Sequence, residues 1–265
     1  MNAITDQEFN RFQRFIFEAA GISMASSKKA LVSGRLSKRL QARQLKSFTE
    51  YFNLLSSGQA KDEVQTAIDL LTTNETYFFR EPKHFELLKK LAQAHKSSQP
   101  FRVWSAASST GEEAYSMAMV LADTLDHNPW EILGSDISTR VLQRARAGHF
   151  PMERARNIPQ PYLKRFCLKG MDEQDGTMLV ERALRQRVRF IQANLNEALP
   201  QLGMFDVIFL RNVMIYFNGD TKRQVVARVI STLKPGGYFC IGHSESLNDI
   251  SDALVSVAPS IYRKP

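Results

Sequence analysis

The residues best placed to do chemistry gather at one short turn. Ser108, Ser109, Thr110 and Gly111 follow the apolar run that starts at Phe101, and Glu112 and Glu113 come directly after them. This order predicts a buried strand, a sharp polar turn and a helix. A helix starting there points unpaired N–H groups at whatever binds beyond the carboxyl ends of an open α/β sheet. Serine and threonine suit the turn, and Gly111 lets the backbone approach a ligand. The two glutamates either stabilise the helix's first turn or meet the ligand. A second strand, Glu131–Ile137, ends on Asp136, 25 residues after Gly111. An acidic residue at the end of the second strand usually bonds a ribose hydroxyl, which points to a nucleoside cofactor. The triple-glycine fingerprint that admits a pyrophosphate is missing, so NAD is disfavoured. S-adenosylmethionine, with ribose and adenine but no phosphate, fits the turn better.

Three further stretches carry polar groups suited to such a ligand. Thr72–Pro82 (TTNETYFFREP) is a poor helix interior and a plausible cover. Asn74 and Thr76 can bond the amino-acid end of the cofactor, and Arg80 can pair with its carboxylate. Asn194 and Leu195, ending the strand predicted over Val188–Leu195, offer adenine one polar contact and an apolar wall. Phe205–Leu210 reads as a strand buried on both faces and leads into Arg211-Asn212-Val213-Met214-Ile215-Tyr216. Amino-methylating DNA enzymes carry Asp or Asn followed by Pro-Pro-aromatic at this place. An arginine there suits an anionic acceptor instead.

These residues need a sheet to hold them, and the chain is long enough to build one. It has 265 residues, 43% hydrophobic and 23% charged, an ordinary globular composition. No apolar run reaches the roughly 18 residues of a membrane span, and the N-terminus has no signal pattern, so a cytoplasmic protein without membrane insertion is expected. Cys167 and Cys240 are expected to be free structural thiols. His84, His95, His127, His149 and His243 lack metal-site spacing, so no metal is expected. The net charge of +8 calls for an acidic partner.

Residues 1–72 read as a helical domain. Thr5 and Glu8 form a capping-box pattern ahead of Phe9, Phe12 and Ile16, and Gly21 stops the helix. Between Ala19 and Thr49 there are seven lysines and arginines and no acid. On a helix over Lys28–Gln44, Val32, Leu36 and Leu40 form an apolar row beside Lys28, Arg35, Arg39 and Arg43. That row is either a solvated face or a docking surface for an acidic partner. No nucleic-acid-binding signature accompanies it. Residues 73–265 read as the cofactor domain, interrupted at 148–187 by a β-hairpin subdomain with strands at Lys164–Leu168 and Thr177–Leu184. A helix over Thr221–Leu233, a strand over Tyr238–Ile241 and a C-terminal hairpin complete it.

Five segments, TTNETYFFREPKHF, RVWSAASSTGEEAYSMA, GSDIS, FDVIFLRNVMIYF and LKPGGYFCIGHSES, occur in an order that resembles the CheR family of chemoreceptor glutamate methyltransferases. The resemblance implies a Rossmann-like α/β domain for S-adenosylmethionine, an N-terminal helical domain and an inserted small antiparallel β-subdomain. It implies methylation of glutamate carboxylates to γ-methyl esters, with S-adenosylhomocysteine as product. Cofactor contacts are implied at Asn74, Thr76, Arg80, Glu113, Asp136, Asn194, Leu195, Arg211 and Asn212. Arg211 and Tyr216 are implied near the methyl acceptor. Arg35, Lys38, Arg39 and Arg43 are implied to meet the cytoplasmic helical domain of the receptor, with the enzyme a monomer. Some members also bind a receptor C-terminal tail by adding a strand to the subdomain's sheet. The turn KGMDEQDGT lacks the glycine-rich stretch of those members. The rival readings are a non-catalytic adaptor that senses S-adenosylmethionine and a methyltransferase acting on nucleic acid.

Overall fold

Thr5 caps the first helix as expected: its hydroxyl accepts from the Glu8 N–H, and the Glu8 carboxylate accepts from the Thr5 N–H. In the computed structural model, which describes residues 3–125 and 128–265, helix α1 (Asp6–Ala20) ends at Gly21, left-handed at φ 70°. α2 (Lys29–Ala42), α3 (Phe48–Ser56) and α4 (Lys61–Leu71) follow. They bury Phe12, Ile16, Val32, Leu36, Leu40 and Tyr51 in one core. α3 adds to the expected helices; Ser47 caps it by accepting from the Glu50 N–H. A further helix, α5 (Pro82–Ala94), begins on a proline, whose fixed φ suits a first turn.

The rest of the chain forms β1 (Phe101–Ser105), α6 (Glu112–Leu125), β2 (Trp130–Asp136), α7 (Thr139–Ala147), β3 (His149–Pro151), α8 (Gln160–Phe166), β4 (Cys167–Lys169), β5 (Thr177–Val180), α9 (Arg182–Arg185), β6 (Val188–Gln192), β7 (Phe205–Leu210), α10 (Gly219–Ile230), β8 (Leu233–Ile241), β9 (Val255–Ala258) and β10 (Ile261–Arg263). The main sheet has seven strands in the order β6-β2-β1-β7-β8-β10-β9. Its first five strands are parallel, and the β9–β10 hairpin closes the edge antiparallel. Successive crossovers leave β1 toward β2 on one side, while β7 lies on the other. This reversal opens a crevice at the carboxyl ends of β1 and β7, where doubly wound sheets bind ligands. Apolar cores cover both faces, one around Tyr115 and Phe209, the other around Trp104, Val225 and Val229.

The insertion differs from the expected hairpin. Pro161 and the spacing of Leu163 and Phe166 make Gln160–Phe166 a helix, and strand begins only at Cys167. Likewise the predicted strand to Leu184 stops at Val180 and continues as α9. His149–Pro151 supplies a third strand, giving a sheet of order β3-β5-β4. Glu112, fully buried, fixes this region to α6 by accepting from the Arg154 Nε at 3.1 Å, so its role exceeds helix-dipole stabilisation. Both cysteines are free thiols, and among the described residues no helix is long and apolar enough to cross a membrane.

Candidate active site

A cavity of about 310 Å³ opens in that crevice. Its walls come from the β1–α6 turn, the ends of β2 and β7, the 72–80 connection and the residues after α1. Asn74, Thr76, Arg80, Glu113 and Asp136 all line it. So do Asn194, Leu195, Arg211, Asn212 and Tyr216. The fold thus brings together residues spread over 143 positions of sequence, from Asn74 to Tyr216.

Their side chains are not equally available. Asp136 accepts from the Ser109 N–H and the Ser138 N–H, both at 2.9 Å, so it is fixed between the β1–α6 turn and the start of α7. Burial pushes its carboxyl up to about 6. Ser109, left-handed at φ 49°, also donates its hydroxyl to the Asn74 carbonyl at 2.9 Å and ties the 72–80 segment to the turn. Arg80 stays largely uncommitted, reaching the Glu75 carbonyl at 3.4 Å and lying over the Tyr77 ring. The side chain of Asn194 is committed elsewhere: its amide donates to the Ala19 carbonyl at 2.7 Å and to Glu197, joining α1's end to the sheet domain. Leu195 is left as the apolar wall. Gly111, at φ 98°, does not line the cavity. A Cβ there would meet the Ala145 Cβ at 3.0 Å and the Phe190 ring at 3.3 Å, so the glycine admits α7 rather than a ligand.

Arg211 is the hub of the acceptor side, and it is buried. Its guanidinium pairs with Glu81 and Glu113, each at 2.9 Å, donates to the Arg80 carbonyl and lies near the rings of Phe85 and Phe209. Glu113 accepts from Ser105 as well, at 2.6 Å, and its burial raises its carboxyl's pKa. Every Arg211 nitrogen is therefore engaged within the protein, so its first role is to hold the two carboxylates and the Arg80 carbonyl in place. Glu81, a non-glycine at φ 60°, faces His84 at 3.4 Å and His243 at 3.8 Å. The donor atoms of these three lie within 4.8 Å of one another, so His84 and His243 are not scattered as the sequence suggested; His127 lies outside the described residues. The Glu81 oxygen that faces both rings already takes Arg211, and a cation there would meet the guanidinium charge. Burial, with Arg211 close by, pushes His84 down to about 3 and keeps it neutral.

Residues 7–72 match the family described as CheR methyltransferase, all-alpha domain, and residues 74–262 match CheR methyltransferase, SAM binding domain. The chain belongs to the CheR methyltransferase family. It is 41% identical to the chemotaxis protein methyltransferase of Escherichia coli over 98% of this chain and 91% of that one. It is 43% identical to chemotaxis protein methyltransferase 2 of Pseudomonas aeruginosa, over 97% and 93% respectively. To the chemotaxis protein methyltransferase of Borreliella burgdorferi it is 38% identical, over 98% and 95%. The cavity is thus that of an S-adenosylmethionine-dependent methyltransferase, and its contents fit that cofactor: an acidic strand end, an uncommitted arginine and an apolar wall.

In this CheR protein the N-terminal basic row is largely occupied. Arg39 and Arg43 both bond the carboxylate of Glu63, whose side chain is 1% exposed and also accepts from the Tyr51 hydroxyl. Arg35 donates to the Leu70 and Thr72 carbonyls at 3.0 Å, satisfying the end of α4. These three arginines hold α2 against α4, and Arg43 keeps 44% of its side chain exposed while doing so. Lys38 is exposed and forms no ion pair among the described residues, and exposed Lys28 lines the cavity mouth. Sequence reasoning missed Glu81 and Glu63, because their partners lie far away in the chain.

Proposed function

We propose that this methyltransferase esterifies glutamate side chains on the cytoplasmic helical domain of chemoreceptors, giving γ-methyl esters and S-adenosylhomocysteine. The observation that supports it is the state of the cavity's charges. Two of the carboxylates that line it, Glu113 and Asp136, are held by partners, while Arg80 and Lys28 add cationic lining beside the exposed Glu75. A glutamate acceptor, with an ordinary pKa of about 4.3, is already ionised at neutral pH and needs no general base. Bound S-adenosylmethionine supplies an electrophilic sulfonium methyl. The chain's part is to orient and to exclude water. Asp136 takes the ribose hydroxyls, Leu195 borders the adenine, and Arg80, Asn74 and Thr76 hold the amino-acid end. Tyr216, whose hydroxyl keeps its proton through burial, donates to the acceptor carboxylate. Lys28 and Lys38 draw the acidic receptor helix to the mouth, and the enzyme acts as a cytoplasmic monomer.

Peptide mass spectrometry of a receptor cytoplasmic fragment incubated with enzyme and cofactor tests this reading. It should find single methyl additions on glutamates, abolished when those glutamates are replaced by glutamine, whose neutral amide is a poor nucleophile. Methyl groups confined to other residue types would contradict it.

Asp136 adds a pH signature. Its folded-state carboxyl is raised to about 6, so it loses its charge as pH falls through that value, and its bond to the ribose weakens. Affinity for S-adenosylhomocysteine should fall below about pH 6, by up to roughly tenfold per pH unit. Calorimetry should find the slope in the native protein and a flat profile in Asp136→Asn. A native profile that is flat between pH 7 and 5 would remove Asp136 from the ribose.

A further inference from the structure

We propose that Glu245 is the positioning residue of the acceptor loop, acting through the backbone of Asn212–Tyr216. The inference rests on the methyl-transfer reading above and adds a residue to it. One oxygen of the Glu245 carboxylate accepts from the Asn212 N–H at 2.9 Å and the Gly242 N–H at 2.7 Å; the other accepts from the Ile215 N–H at 3.3 Å. A single side chain thereby ties the end of β8 to the loop that leaves β7. That loop needs tying. Asn212 is left-handed at φ 56°, a conformation asparagine adopts more readily than other residues with a Cβ, and the chain then tightens into a single 3-10 turn at Met214–Tyr216.

The loop serves the acceptor side of the cavity. Tyr216 and the exposed Ile215 stand on it, while Asp136, Arg80 and Leu195, which serve the cofactor, come from other elements. Glu245 itself does not line the cavity. The fit is tight from the far side too: a Cβ on Gly242 would lie 2.4 Å from Asn212 Nδ2 and 2.9 Å from a Glu245 carboxylate oxygen. Shifting the loop by a few tenths of an ångström should therefore misplace Tyr216 while Asp136, Arg80 and Leu195 stay in place, and small misplacements of reacting groups cost rate steeply.

Two variants test this by different routes. Glu245→Gln turns an amide NH2 toward backbone donors and leaves a single good acceptor oxygen. Gly242→Ala keeps the carboxylate and crowds the same loop. For both, kcat for methylation of a receptor fragment should fall by roughly 30-fold or more, with the receptor KM within about threefold of native and the calorimetric Kd for S-adenosylhomocysteine, which Asn212 also touches, within about tenfold. If kcat stays within about threefold in either variant, or Kd rises in step with the fall in kcat, Glu245 is not a positioning residue for transfer. A native enzyme that binds S-adenosylhomocysteine but leaves receptor glutamates unmodified would overturn the parent reading and this one together.

Discussion

Arg211→Ala should lose stability, cofactor affinity and methyl transfer together. The guanidinium is 1% exposed and neutralises two carboxylates, Glu81 and Glu113. Deleting it leaves both charges in a low-dielectric site, at a cost of about 3–5 kcal/mol. For a chain of this size that corresponds to a fall in Tm on the order of 10 °C. Glu113 lines the cavity, so the disturbance reaches the cofactor, and turnover should drop by roughly a hundredfold or more. Arg211→Lys should fall between, since an ammonium keeps the charge but cannot reproduce the planar fork to Glu81, Glu113 and the Arg80 carbonyl. Thermal unfolding and calorimetry of the purified variants check this. A variant with native Tm and native affinity for S-adenosylhomocysteine, defective only in transfer, would return Arg211 to direct contact with the acceptor.

Arg39→Glu should unfold the N-terminal helical region rather than merely weaken docking. It places a second carboxylate against Glu63, which is buried and already serves Arg39, Arg43 and Tyr51. Losing one partner and adding a like charge should cost about 3 kcal/mol or more. The same cluster predicts acid lability. The Arg39 hydrogen bond outweighs burial and, with Arg43 and Tyr51, holds Glu63 down to about 2. A carboxyl depressed by folding contributes stability that is fully present above its unfolded value of about 4.5, and that is lost as pH falls through 2. Lys38→Glu is the contrasting substitution. It should keep the native Tm and helical circular dichroism while weakening receptor binding. Receptor affinity unchanged in Lys38→Glu would show that α2 does not meet the partner.

Parts of the site that depend on local chemistry were readable in the sequence. The polar turn, the acidic residue ending β2 and the parallel strands each announce themselves within a few residues. What escaped the reading was pairing across distance. Arg211 is engaged by Glu113, 98 positions earlier, and by Glu81, 130 positions earlier. Asn194 is claimed by the Ala19 carbonyl, 175 positions earlier. The acid-free stretch around α2 looked unneutralised because its counter-charge, Glu63, stands on α4, 24 positions beyond Arg39. Gly111 was misread for a related reason, since a glycine that admits a neighbouring helix and one that admits a ligand look alike in sequence.

The most direct test of glutamate esterification is the chemical stability of the product. The enzyme is mixed with methyl-labelled S-adenosylmethionine and a chemoreceptor cytoplasmic fragment, and the washed protein product is treated with mild alkali. A carboxyl methyl ester hydrolyses to volatile labelled methanol, which is the predicted result. Label that remains on the receptor through alkali would place the methyl on nitrogen, sulfur or an ether oxygen and contradict the account.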